Sequence, residues 1–137
     1  MHGLTMTQSQ WEILCKHLGA CLPEEGCGLL GGEGETVLAV LPVENALHSP
    51  VRFRMNPEEQ LRAFTRIEQE GMELVGIFHS HPKGPRHPSG LDVAEFAYPG
   101  VVNVICFRNG GGWEAKGFWM GDGKYDEVPV RVTAHNA

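Results

Sequence analysis

Leu74-Val75-Gly76-Ile77-Phe78-His79-Ser80-His81-Pro82-Lys83-Gly84-Pro85-Arg86-His87-Pro88-Ser89-Gly90-Leu91-Asp92 is the stretch on which the reading of this chain turns. Its first five residues form an apolar run, which predicts a buried strand running directly into His79. On a strand, positions i and i+2 share a face, so His79 and His81 project together, with Cα atoms about 6.5–7 Å apart. Two imidazoles at that spacing can converge on one cation. The Pro- and Gly-rich loop Pro82 to Pro88 then leads to a predicted helix, Ser89 to Ala97, with Asp92 in its first turn. There the carboxylate can complete a His79/His81/Asp92 set and leave a fourth position for water, the catalytic rather than the structural zinc pattern. Plainer readings stand beside this one. His-x-His arises by chance on surfaces, and Ser89-x-x-Asp92 also has the form of a helix N-cap with a carboxylate at N3. That cap would compete with ligation for the Asp92 carboxylate, although Asp reaches back less well than Glu or Gln. His87 and His48 offer further imidazoles.

Outward from this stretch, helical and strand patterns interleave. Thr7 to Leu18 predicts an amphipathic helix: Thr7 with Gln10 fits a capping box, Trp11, Leu14, Cys15 and Leu18 form one stripe, and Gly19 offers a stop. Cys27 to Leu30 reads as a short strand, followed by a turn through Gly31, Gly32 and Gly34, and Val37 to Leu41 as a second strand. Val51-Arg52-Phe53-Arg54-Met55 alternates with period two and predicts a half-buried strand. Asn56-Pro57-Glu58-Glu59 is a helix start, with Asn as N-cap, Pro at N1 and carboxylates in the first turn. Leu61, Phe64 and Ile67 are its expected buried face, and Gly71 its end. Val101 to Phe107 is the most hydrophobic strand. Asn109 to Gly112 is a turn, Trp113 to Met120 pairs back as a hairpin, and Glu127 to Val132 is the last strand. The order predicts an α/β fold, a mixed sheet with flanking helices.

The 137 residues suit one domain, 1–137, with no repeat or linker. Apolar residues at 42% and charged residues at 20% exclude a disordered chain. Eleven basic against seventeen acidic residues, net −6, argue against a nucleic-acid partner. No apolar run approaches the roughly 20 residues that span a bilayer, and the N-terminus has no signal-peptide core. A cytoplasmic protein without membrane contact is expected. Cys15, Cys21 and Cys27 are spaced by six and Cys106 is remote, so no C-x-x-C pair supports a thiolate zinc ribbon or a thioredoxin-like site. All four are expected to be reduced.

Other motifs lead nowhere. Gly26 to Gly31 fits G-x-G-x-x-G but lacks the flanking strand and helix of a dinucleotide site. H-E-x-x-H and the deaminase pattern are absent, and residue 87 is His, so Ser89 sits in no G-x-S-x-G elbow. Lys83, Arg86 and His87 place positive charge beside the histidines, either as a solvated loop or as an attraction for an acidic tail. Edge strands and the expected exposure of Trp113 and Trp119 permit a homodimer.

His79-Ser80-His81-Pro82, the seven residues Pro82 to Pro88, and Ser89-Gly90-Leu91-Asp92 together resemble the signature of the JAMM (MPN-plus) zinc metalloproteases. That signature is an upstream Glu, H-[ST]-H-P, a fixed loop and S-x-x-D. The family's Glu lies in E-x-x-G before a Gly-Leu-Leu-Gly-like strand. Here the match is Glu25-Gly26-Cys27-Gly28-Leu29-Leu30-Gly31, which puts the role on Glu25. Glu24 competes from one residue out of register and would face the other way on a continuing strand. Asn45 and the stretch Val51 to Gln60 also look like the family, and the likeness runs from Glu24 to Trp119. The resemblance implies a cytidine-deaminase-like fold and Zn2+ on His79, His81 and Asp92. It also implies Glu25 as the base that moves a proton from water to the leaving amine, and Ser89 as an oxyanion donor. The compact chain is similar to the small prokaryotic single-domain members. Its implied substrate is the bond after the C-terminal Gly-Gly tail of a ubiquitin-like or sulfur-carrier protein, a tail that fits a narrow groove because it lacks Cβ atoms. Two alternatives stand: a zinc amidase for a small molecule, which calls for a closed pocket, and a non-catalytic MPN scaffold, which typically lacks ligands that are all present here.

Overall fold

The computed structural model describes residues 3–95, 98 and 100–134. Strand β4 (Glu73–His81) lies between β2 (Cys27–Glu33), which runs antiparallel to it, and β5 (Val102–Asn109), which runs parallel. Beyond β2 come β3 (Thr36–Val43), β1 (Leu4–Thr7) and β8 (Val130–Thr133); beyond β5 come β6 (Gly112–Gly121) and β7 (Lys124–Val128). The result is one eight-stranded mixed sheet in the order β7-β6-β5-β4-β2-β3-β1-β8. Helix α1 (Gln8–Cys21) contributes Leu14 and Leu18 to a cluster with Leu30, Phe78, Val104 and Cys106. Helix α2 (Pro57–Gln69) contributes Ala63 and Ile67 to a second cluster with Leu29, Leu41, Val43 and Ile77. The two helices therefore cover opposite faces, as the α/β reading requires. A short helix α3 (Gly90–Glu95) follows the loop after β4.

A bulge in β4 decides which face the histidines take. Leu30 pairs with Gly76 but Gly31 pairs with Leu74, so Val75 is an extra residue on β4. Leu74 packs on the α2 cluster and Val75 in the α1 cluster; past the bulge, Ile77 is on the α2 side and Phe78 on the α1 side. Strict alternation from Leu74 would send Phe78 to the α2 face and His79 away from it. The bulge turns His79 and His81 to the α2 face instead.

The helix starts follow the sequence. Thr7 and Gln10 form the reciprocal capping box, and Asn56 Oδ1 accepts from the Glu58 and Glu59 N–H groups with Pro57 following it. Several boundaries and faces differ. Helix α1 runs past Gly19 to Cys21, because Gly is tolerated in a helix where Pro23 is not. Gly31 and Gly32 belong to β2, and the turn is confined to Gly34 and Glu35. Leu61 is 67% exposed and does not face the core; Ala63 takes that place. Residues 51–55 are not a strand: among the described residues their one ladder contact is an isolated bridge between Asn45 and Met55. The last strand is split at Pro129, β7 pairing with β6 and β8 with β1, because Pro cannot donate within a ladder. Trp113 and Trp119 are half-buried against the α1 cluster rather than exposed. Strand β1 is an addition that the sequence reading missed. The predicted helix at Ser89 to Ala97 is observed as Gly90–Glu95; residues 96 and 97 lie outside the described residues. The four cysteines are free thiols.

Candidate metal centre

Ser80 sits between the two histidines and points to the opposite face. Its Oγ accepts the Gly26 N–H at 2.8 Å, and its own N–H donates to the Gly26 carbonyl at 2.9 Å. These bonds clamp the chain just before β2 against β4, where Cys27 pairs with His79. Glu25 is thereby brought beside the histidines. The sequence reading quotes Ser80 only as part of the His79-Ser80-His81-Pro82 motif and gives it no role of its own. The signal was available, since a hydroxyl on an otherwise apolar strand face needs a partner.

Four side chains meet at the end of β4. His79 Nε2 and His81 Nε2 are 3.1 Å apart. Asp92 Oδ1 is 3.2 Å from the first and Asp92 Oδ2 is 3.0 Å from the second. Glu25, His79 and His81 offer ligand atoms that all lie within 4.8 Å of one another. Glu25 is 3% exposed, and its Oε1 is buried with no hydrogen-bond partner among the described residues. Two imidazole nitrogens crowded against a carboxylate, with an orphaned carboxylate oxygen alongside, are a donor set that protein groups alone leave unsatisfied and a cation completes.

Burial and proximity shift the acids and bases accordingly. Burial pushes Glu25 up to about 8, the charge of Asp92 adds to this and that of His81 opposes it. Burial also lowers His79, against the pull of Asp92. For His81 burial acts downward too, but its bonds to Asp92 and to the Pro85 carbonyl outweigh it, and the net shift is upward. Burial would raise Asp92, yet the two imidazoles hold it far below the usual carboxylate range. A buried acid beside a cluster of opposed shifts is what proton-transfer chemistry needs.

Asp92 is engaged twice. Its Oδ2 accepts the Ser89 N–H at 2.8 Å while Ser89 Oγ accepts the Asp92 N–H at 3.0 Å, a reciprocal cap. Cap and cluster do not compete, because a carboxylate has about four acceptor sites. Ser89 Oγ uses a lone pair in the cap, so its own proton is available to a ligand. The other candidates lie elsewhere. Glu24 Oε1 is bonded to His48 Nδ1 at 3.0 Å, and His87 Nδ1 donates to the Pro88 carbonyl while its ring stacks on Tyr125. Arg86 of the basic loop lies over the Phe107 ring, 4.8 Å from its centroid. A cleft of about 330 Å³ leads to His79 and Asp92, lined by Phe53, Ile77 and Tyr98, with the exposed Arg52 and Arg54 at its rim.

Residues 7–120 match the family of prokaryotic homologs of the JAB domain. The chain is 52% identical over 109 residues to a desampylase of Pyrococcus furiosus, covering 79% of this chain and 76% of that protein. It is 33% identical over 113 residues to a CysO-cysteine peptidase of Mycobacterium tuberculosis, covering 80% of this chain and 77% of that protein. A Desulfitobacterium hafniense protein solved in solution superposes with a TM-score of 0.86 at 33% identity, covering 96% of this chain and 94% of that one.

Proposed function

The chain belongs to the prokaryotic JAB-domain family, and on that premise we propose that it is a zinc metallopeptidase. It hydrolyses the peptide or isopeptide bond after the C-terminal Gly-Gly tail of a ubiquitin-like or sulfur-carrier protein. The desampylase and the CysO-cysteine peptidase support that substrate class. The observation that carries the reading is the convergence of His79, His81 and Asp92 beside the unpartnered Glu25 oxygen, at the end of a cleft with an exposed rim.

In this reading His79 Nε2, His81 Nε2 and Asp92 hold the ion. Zinc, when bound, polarises a carbonyl and acidifies water. Glu25 accepts the proton of the attacking water and delivers it to the leaving amine; its buried Oε1, with no partner among the described residues, is free for both steps. The Ser89 hydroxyl donates to the oxygen on which charge develops. The cleft places an extended tail so that its carbonyl reaches these groups, and a closed pocket for a small molecule is not what its exposed rim provides. No described helix is long and apolar enough to cross a membrane. The four free thiols favour the cytoplasm.

Zinc content and cleavage of a Gly-Gly-tailed carrier fusion test the assignment. Wild type and Glu25→Gln should both carry stoichiometric zinc, with turnover in the variant reduced by about 10²–10⁴-fold. His79→Ala and Asp92→Ala should lose zinc and turnover together. Undiminished turnover in Glu25→Gln, or a wild type that binds no zinc, would overturn it.

A further inference from the structure

We propose that the loop 46–54 braces the metal centre through a stack of Phe53 on His79, with Phe53 and Asn45 as positioning residues; this rests on the metal-site reading above. The two histidines are held in different ways. His81 Nδ1–H donates to the Pro85 carbonyl at 2.8 Å, which fixes both its tautomer and its ring plane. His79 has no such bond: its Nδ1 is buried and without a hydrogen-bond partner among the described residues. Ligation through Nε2 puts the proton on that nitrogen, where no acceptor orients it. The His79 ring instead stacks on the Phe53 ring, with centroids 4.5 Å apart and planes inclined by 27°. A flat contact at that distance limits ring rotation, the task that a hydrogen bond performs for His81.

Phe53 in turn depends on one amide. Asn45 is 4% exposed. Its Nδ2 donates to the Arg52 carbonyl at 3.0 Å, and its Oδ1 accepts the Arg54 N–H at 3.1 Å, so the chain on both sides of Phe53 is bonded to the same side chain. Nδ2 also donates to the Glu25 carbonyl at 3.0 Å, and Oδ1 accepts the Leu47 N–H at 3.1 Å. The Glu25 N–H reaches the same loop, donating to the Ser49 carbonyl at 2.8 Å. The backbone of the base and the stacking partner of a ligand thus hang on a single buried amide. Within the alternating residues 51–55, which form no ladder strand, the Arg52 carbonyl and the Arg54 N–H are bonded to the Asn45 side chain and the Arg54 carbonyl to the Ala46 N–H.

The test compares Phe53→Leu, Phe53→Tyr and Val51→Ser, the last at a position on the same loop that is 73% exposed. Zinc affinity is read by chelator competition, the geometry by the absorption spectrum of the Co2+ form, and the fold by the melting temperature of metal-free protein. Phe53→Leu should bind zinc about 10–100-fold more weakly and shift the Co2+ bands at a temperature where the metal-free variant, its melting temperature lowered by a few degrees through lost packing, is still fully folded. Phe53→Tyr and Val51→Ser should match wild type in all three. Asn45→Ala should reproduce the Phe53→Leu affinity. Wild-type zinc affinity and spectrum in Phe53→Leu would overturn the inference alone. So would an affinity loss confined to temperatures at which the metal-free variant is already unfolding, since the role would then be purely structural. Absence of zinc binding by wild type would instead remove the metal-site reading, and the inference with it.

Discussion

Glu25→Gln should stabilise the metal-free protein at neutral and alkaline pH while leaving it unchanged in acid. The cause is the burial of a carboxyl whose Oε1 finds no partner among the described residues, which raises its pKa from 4.5 to about 8. Between those values the folded state holds a proton that the unfolded state has released, so wild-type stability falls as pH rises through this window and is level above it. At pH 7 the displacement is about 2.5 units, which at 1.36 kcal/mol per unit costs wild type about 3 kcal/mol. For a domain of this size that is roughly 10 °C in melting temperature. Gln fills the same space without titrating, so the variant escapes the loss. Urea denaturation with a chelator, from pH 4 to 9, should show the two curves together near pH 4.5, diverging upward, and parallel beyond about pH 8. Zinc should narrow the gap, because a cation beside Glu25 favours its charged form. Curves of wild type and variant that stay parallel across the whole range would refute the burial argument.

Ser80→Ala leaves the Gly26 N–H buried without its acceptor and should cost about 1–3 kcal/mol in denaturant unfolding. Gly28→Ala would put a Cβ 2.5 Å from the Leu41 carbonyl oxygen and hard against the Phe78 ring, backbone and a fully buried ring that cannot retreat, and should destabilise by about 3 kcal/mol. Gly19→Ala, within α1 and with nothing within 4 Å of the new Cβ, should stabilise by about 0.5–1 kcal/mol in the same measurement.

Sidedness was more legible in the sequence than pairing. The i and i+2 spacing of His79 and His81 carried their shared face, because a strand's alternation is local geometry. Which face that was depended on the Val75 bulge, an event of register between β4 and β2 that no spacing within β4 reveals. The same distinction explains residues 51–55. Their alternation records that Phe53 and Met55 turn inward, while the backbone bonds go to the Asn45 side chain and to Ala46 rather than to a neighbouring strand. Strand β1 was missed because its four residues, with Leu4 and Met6 buried and Thr5 and Thr7 half-exposed, give one short alternation. Its place beside β8, from the other end of the chain, is a long-range choice. Leu61 was misplaced because a helical stripe fixes a face only to within a residue or so, and Ala63 occupied the position that a larger side chain was expected to fill.

The S-x-x-D spacing joins helix capping to the metal centre more tightly than either reading alone suggests. Helix α3 has six residues, too few to persist on its own propensity. What holds its start is the pair of bonds between Ser89 and Asp92, together with the contacts of Asp92 with both histidines. Oδ2 serves the cap and faces His81, while Oδ1 faces His79, so the carboxylate plane is fixed from the helix side before any ion arrives. The order of α3 and the geometry of the donor set are one arrangement seen from two ends. The side chain that faces both histidines also anchors the helix that follows the loop, and the cap determines the angle at which that side chain is presented.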